Sequence, residues 1–198
     1  MKIGLYGGTF DPLHNGHMKV AQEAKNHLQL DRVIFIPAGD PPHKAGKAIT
    51  DKQDRLNMVR LAAEAEGAEV SDWELSRREK SYSVETLKHF QTQFPEDELF
   101  FIIGADSFRD LPSWWHYREL MELCTFVVIS RPDIEKDSLL TRYAGDEKPP
   151  RVFFLDHIFM DISSTNIRKM VSEGKDVSRL VPPAVHQYMQ SRGLYQKE

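Results

Sequence analysis

Gly7-Gly8-Thr9-Phe10-Asp11-Pro12-Leu13-His14-Asn15-Gly16-His17 joins an apolar run, residues 2–6, to an amphipathic stretch that begins near His17. A strand that enters a paired-glycine turn and leaves as a helix is the opening unit of a wound α/β sheet. The glycines let backbone amides approach an anion with no Cβ in the way. The helix that follows offers unpaired N–H groups and a positive dipole end at the same place. His14 and His17 lie three apart, so both imidazoles can face one bound group from the first helical turn. Two imidazole donors close to phosphate oxygens stabilise charge that builds on a phosphoryl centre. On residue type alone, Gly-Gly after a strand is also an ordinary turn. A histidine pair is also half of a metal site, but zinc needs further ligands at suitable spacing, and His43 is the nearest candidate.

Working outward, short apolar runs recur at residues 32–37, 68–73, 99–103, 125–130 and 152–155. Val33-Ile34-Phe35-Ile36 and Phe126-Val127-Val128-Ile129 are apolar on both faces, as strands of a parallel sheet covered by helices must be. Helical patterns fall between them. Residues 17–28 place Val20, Ala21, Ala24 and Leu28 on one stripe. Thr50-Asp51-Lys52-Gln53 has the form of a capping box, followed by Leu56, Val59, Leu61 and Ala63 up to a stop at Gly67. Residues 83–94 repeat the idea with Val84, Leu87, Phe90 and Phe94, and Pro95 lies just beyond. Two more helices are expected near 165–173 and 183–192. The alternation predicts an α/β fold: a doubly wound, mostly parallel Rossmann-like sheet with a small C-terminal helical extension over about 156–198, the whole of 1–198 forming one domain. Two loops, 38–47 and 132–150, are longer than a connection needs; the first is read as functional and the second as a surface connection.

Composition removes several classes of function. A formal net charge of −4 over 198 residues argues against a broad grip on nucleic acid, so phosphate binding must be local. One cysteine, Cys124, cannot form an internal disulfide, which fits a reducing compartment. The N-terminus has no apolar leader region, and no stretch approaches the roughly 18–20 apolar residues of a membrane span. A cytoplasmic protein with no membrane or nucleic-acid partner is expected. Gly-x-Gly-x-x-Gly and Gly-x-x-x-x-Gly-Lys-[Ser/Thr] are both missing from the sequence, so neither dinucleotide oxidoreduction nor a P-loop ATPase is supported.

A second motif stands late in the chain. In Ile162-Ser163-Ser164-Thr165-Asn166-Ile167-Arg168, three hydroxyl residues precede a helix, where they serve as N-caps or converge with the amides on an anion. Arg168 lies one turn in, within reach of the same ligand. The string 7–17 resembles the signature of the nucleotidyltransferase superfamily of adenylyl- and cytidylyltransferases, with His14-Asn15-Gly16-His17 matching its His-x-Gly-His core. Residues 162–168 resemble the Ile-Ser-Ser-Thr-x-Ile-Arg motif of the same superfamily at every fixed position. The resemblance implies that His14, His17 and Arg168 stabilise the triphosphate of ATP. It also implies backbone contacts from Gly7, Gly8, Thr9 and Phe10, with Ile162, Ser163, Ser164 and Thr165 holding the phosphates from the other side. The acceptor's phosphate would attack the α-phosphorus directly, without a general base, and Mg²⁺ would arrive with ATP rather than in a protein cage.

Which acceptor is used rests on weaker residues. Gly104-Ala105-Asp106 follows the run 99–103, where an acidic side chain can meet a ribose or cap a helix. Ile36-Pro37-Ala38, Pro41-Pro42-His43-Lys44, Ser81-Tyr82-Ser83-Val84-Glu85-Thr86-Leu87 and Leu111-Pro112-Ser113-Trp114 resemble the bacterial nicotinate-nucleotide adenylyltransferases, so that the likeness spans nearly the full chain. That family implies nicotinate mononucleotide as the partner of ATP. Gly104 and Asp106 would lie at the adenosine, Lys44 at phosphate, and the backbone around Tyr82 and Ser83, or near Thr86, at the pyridine carboxylate. Trp114 would stack on the ring, with one of the adjacent Trp114 and Trp115 packed in the core. A phosphopantetheine or cytidylyl transferase, or a nucleotide sensor without turnover, are the other readings. The sequence does not fix oligomeric state; Tyr117 and Tyr188 are aromatics available to a homodimer.

Overall fold

The computed structural model describes residues 1–39, 49–78, 80–130, 134–156, 158 and 160–197. Six strands form one sheet: β1 (Lys2–Gly8), β2 (Arg32–Pro37), β3 (Glu69–Val70), β4 (Glu98–Gly104), β5 (Thr125–Ile129) and β6 (Val152–Leu155). Their order is β3-β2-β1-β4-β5-β6, and every pairing is parallel. Winding therefore reverses between β1 and β4, which opens a crevice at their carboxyl ends.

The helices among the described residues are α1 (Asn15–Leu28), α2 (Lys52–Glu66), α3 (Trp73–Ser76), α4 (Ser83–Gln93), α5 (Ala105–Asp110), α6 (Tyr117–Leu123), α7 (Lys136–Thr141), α8 (Ser164–Ser172) and α9 (Pro183–Ser191). The continuous apolar runs sort by the two-residue period of a strand. Val33 and Phe35 of β2, with Phe100 and Ile102 of β4, bury against α1, α2, α8 and α9. Ile34 and Ile36, with Leu99, Phe101 and Ile103, bury against α4, α5, α6 and α7. Strands with both faces covered explain why these runs show no polar alternation. The C-terminal helices and the loop between them share the core of β1 and α1, through Ile167, Val177, Val181, Val185 and Met189.

Several boundaries differ from expectation. The run 68–73 yields only two paired residues; after Val70 the Ser71 hydroxyl accepts a bond from the Trp73 amide and the chain turns into α3. Helix α2 is capped by Asp51 rather than Thr50: its carboxylate accepts from the Gln53 amide at 2.8 Å, a stronger acceptor than a hydroxyl at a positive helix end. Gly67 closes that helix in the left-handed conformation as expected. Of the second long loop, residues 134–150 are more than a surface connection, because α7 buries Leu139 and Tyr143 follows it into the core, its hydroxyl bonded to the Phe108 carbonyl. Tyr117 and Tyr188 are both hydrogen-bonded within the chain, to Asp146 and to Asp54, rather than standing free on the surface.

Candidate active site

The crevice over β1 and β4 has two lobes. One, of about 520 Å³, is lined by Gly7, Gly8, Thr9, Tyr82, Ser83, Trp114 and Trp115 among others. The other, of about 360 Å³, is lined by His14, Gly16, His17, Asp106, Ile162, Ser163 and Ser164 among others. Tyr6, Gly104 and Ser107 belong to both, so the lobes adjoin. The two sequence motifs thus meet in one place with Tyr82, Ser83 and Trp114.

His14 is the N-cap of α1, and the two histidines cap each other. His14 Nδ1 accepts from the His17 amide at 3.3 Å, and His17 Nδ1 accepts from the His14 amide at 3.2 Å. The rings stack at 3.6 Å. An Nδ1 that accepts a backbone N–H carries no proton, so each neutral ring holds its proton on Nε2 and remains a donor there. Burial pushes His14 down to about 4, so it is neutral at physiological pH. Gly16 is needed for space: a Cβ there would stand 3.0 Å from the His14 ring. Phe10 turns inward at a φ of 49°, and its buried ring meets the His17 ring edge-on at 5.0 Å, with Tyr6 and Phe35 beneath. Gly7, Gly8 and Thr9 line the crevice, whereas Phe10 supports it from below.

The second motif is bonded to the first. Ser163 caps α8 by accepting from the Asn166 amide. Ser164 Oγ donates to the Pro12 carbonyl at 2.9 Å, and Arg168 Nη1 donates to the Asp11 carbonyl at 2.7 Å. Arg168 Nη2 donates to Thr165 Oγ1 at 3.4 Å, and neither residue is among those that line the smaller lobe. The buried Asp11 carboxylate accepts from Tyr195 Oη at 2.6 Å and from the Thr50 amide at 3.2 Å. Asn15 donates to the carbonyls of Leu180 and Arg179, so the loop before α9 also grips the start of α1.

Arg55, which sequence reasoning passed over, is buried at 2 % exposure beneath the glycine turn. Its Nη1 donates to the carbonyls of Thr9 (2.9 Å) and Ala38 (2.8 Å), and its Nε to that of Thr50 (3.1 Å). One guanidinium therefore ties the glycine turn to the end of β2 and the start of α2. A lone arginine one turn into an amphipathic helix carries no pattern that separates it from a solvated one.

In the larger lobe, Tyr82 and Ser83 line the wall at the start of α4, which has no side-chain cap. Thr86 lies beneath it instead: it is 1 % exposed, and its hydroxyl is spent on Glu74 Oε1 at 2.6 Å, so it offers the crevice no side chain. Neither tryptophan is wholly in the core. Trp114 is half-buried against the α4–α6 side of the sheet, while Trp115 is 50 % exposed and lies 4.7 Å from the Tyr82 ring. Both line the lobe because the 3-10 turn Leu111–Ser113 ends there. Asp106 sits in the first turn of α5 behind Gly104, paired with Arg109 at 3.1 Å. Lys44 lies outside the described residues. Among the described residues, no three of His, Cys, Asp and Glu gather into a set that could hold a metal ion.

Residues 5–170 match the cytidylyltransferase-like family. The Clostridium tetani protein named "Probable nicotinate-nucleotide adenylyltransferase" is 42% identical, over 98% of this chain and 98% of its own length. A Clostridium novyi protein of the same name is 43% identical with the same coverage. The fold is also that of the Plasmodium falciparum nicotinic acid mononucleotide adenylyltransferase complexed with NaAD. That structure superposes with a TM-score of 0.82 over 98% of this chain and 97% of the other, at 22% identity. By family match and by identity along almost its whole length, the chain belongs to the nicotinate-nucleotide adenylyltransferase family of cytidylyltransferase-like proteins.

Proposed function

We propose that this protein transfers AMP from ATP to nicotinate mononucleotide, giving nicotinate adenine dinucleotide and pyrophosphate, a step of NAD biosynthesis. The observation that carries the reading is the mutual capping of His14 and His17. It fixes two Nε2–H donors on the lobe that Ser163 and Ser164 also line. In this reading ATP lies across that lobe, with its adenosine toward Gly104 and Asp106. Its phosphates lie among the glycine turn, the histidines and the 162–168 motif. Mg²⁺ enters as part of the ATP substrate, its octahedron completed by phosphate oxygens and water. Nicotinate mononucleotide occupies the larger lobe, its ring against Trp114 and its carboxylate at the start of α4 near Tyr82 and Ser83.

An acceptor phosphate is already ionised near neutral pH, so no base is required. One of its oxygens forms a bond to the α-phosphorus, and the bond to the β-phosphate bridging oxygen breaks, releasing pyrophosphate. Catalysis is then alignment and stabilisation of charge by preorganised donors. The histidine donors suit this because neither must gain or lose a proton. Arg168 adds a permanent cation beside them. The reading includes one domain over 1–198 at work in the cytoplasm. It is supported by a core shared between β1 and the C-terminal helices, and no helix among the described residues is long and apolar enough to cross a membrane. Pyrophosphate release with ATP and a panel of acceptors tests it: nicotinate mononucleotide, nicotinamide mononucleotide and phosphopantetheine. Turnover should be fastest with the first; preference for phosphopantetheine would refute the pyridine assignment while leaving adenylyl transfer.

A further inference from the structure

Glu74 stands in the wall of the larger lobe, 9 % exposed, on the four-residue α3. Its Oε1 accepts from Thr86 Oγ1 at 2.6 Å, and its Oε2 accepts from the Gly39 amide at 3.4 Å. Thr86 lies in the first turn of α4, three residues after Ser83. Gly39 follows Ala38, which lines the same lobe just beyond β2. One carboxyl thus joins three segments that wall the lobe: the exit from β2, α3 and the start of α4. The approach is close. A Cβ on Gly39 would stand 2.3 Å from the Glu74 carbonyl oxygen and 2.7 Å from Ser81 Oγ. Burial raises the Glu74 carboxyl above the usual carboxylate range, opposed by the bonds from Thr86 and Gly39 and by the Arg77 charge. A buried carboxyl is costly as a stability device, since apolar residues of its size often do as well. What it does supply is direction, because two donors from different elements must point at it.

We propose that Glu74 is a positioning residue for the acceptor: by fixing Gly39 and Thr86 it sets the shape of the lobe that holds the pyridine nucleotide. It lines the larger lobe alone and not the histidine lobe, so its effect falls on one substrate. The proposal rests on the assignment of that lobe to the acceptor.

Steady-state kinetics of the full chain, with each substrate varied in turn, test it. Glu74→Gln keeps the volume, but its amide nitrogen cannot accept the second donor. The acceptor KM should rise about tenfold, with ATP KM and kcat changed less than about twofold. Thr86→Val should reproduce this split and Thr86→Ser should not. The Glu74→Gln, Thr86→Val double variant should be less impaired than the product of the two single effects, because both act through the same carboxyl group. A folded Glu74→Gln protein with an unchanged acceptor KM overturns the proposal, as does one in which both KM values rise together. If Glu74→Gln does not fold, Thr86→Val and Thr86→Ser carry the same contrast. The wild-type acceptor panel separates this from the functional reading. Should another phosphate acceptor prove to be the substrate, the pyridine assignment fails, and the Glu74 test runs unchanged on that acceptor.

Discussion

Replacing Arg55 by methionine removes one guanidinium and leaves three backbone carbonyls, those of Thr9, Ala38 and Thr50, without their donor. At roughly 1.5–3 kcal/mol for each bond from a charged donor, the three set a ceiling of about 5–9 kcal/mol. Methionine avoids the desolvation of a cation that is 2 % exposed, and water can reach some of the freed carbonyls; both offset part of the loss. We therefore expect a net destabilisation of about 3–5 kcal/mol, as when one partner of a buried charged network is removed. Against a total stability of about 5–15 kcal/mol this is severe but survivable. Arg55→Lys should fall between, because an ammonium is a point donor that cannot reproduce the Nη1 and Nε directions at once. Urea unfolding followed by circular dichroism reads the midpoint and the m-value. Pyrophosphate release reads the second consequence, a rise in ATP KM as the Thr9 turn loosens. A midpoint shift worth under about 1 kcal/mol, with ATP KM unchanged, would show that Arg55 does not hold the phosphate turn.

Three further outcomes follow from the same geometry. His17→Ala should lower kcat by at least ~100-fold with the fold intact, since it removes a fixed donor to the developing charge; near-normal turnover in a rapid-quench assay removes the histidines from the mechanism. Gly16→Ala places a Cβ 3.0 Å from the His14 ring, so the imidazole must shift by a few tenths of an ångström; kcat should fall about five- to tenfold while urea stability changes by less than ~1 kcal/mol. His14 is lowered from 6.5 to about 4 by burial, so the unfolded chain binds the extra proton first as pH falls. Its contribution is complete above pH 6.5, is lost between pH 6.5 and 4, and amounts to roughly 3 kcal/mol, so the unfolding midpoint should drop through that window less steeply in His14→Asn.

The sheet was legible because burial on both faces leaves a mark that survives in one dimension. Val33 to Ile36 and Phe126 to Ile129 carry no polar residue, and only a doubly covered strand tolerates that. What could not be read was wherever a single polar group overrides a periodic pattern. Ser71 ends β3 after two residues by turning its hydroxyl to the Trp73 amide. Asp51 takes the cap of α2 because its carboxylate outbids the neighbouring hydroxyl. The pairing of the two histidines was legible, because spacing encodes geometry there: three residues from His14 to His17 is one helical turn. The larger lobe, where Thr86 faces inward and the tryptophans share a wall, was less legible, because rotation about a helix axis and burial depth are set by tertiary neighbours.

The bonds between the two motifs change what their joint presence means. Both can be explained by a shared ligand, each contributing donors to the same phosphates. Here they are also coupled with no ligand in between, since Ser164 and Arg168 donate to the carbonyls of Pro12 and Asp11. Those carbonyls follow the glycine turn and precede the N-cap His14, where neither a strand nor a helix satisfies them. A buried carbonyl left without a donor costs on the order of 1–3 kcal/mol, so the hydroxyl and guanidinium of the second motif are needed by the first even before ATP binds. Tyr195 extends the dependence by holding the Asp11 side chain from beyond α9. Preorganisation of the histidines thus begins with the C-terminal helices. The glycine turn and the N-cap of α1 are held in shape by the segment that, on the sequence, looked like a separate wall.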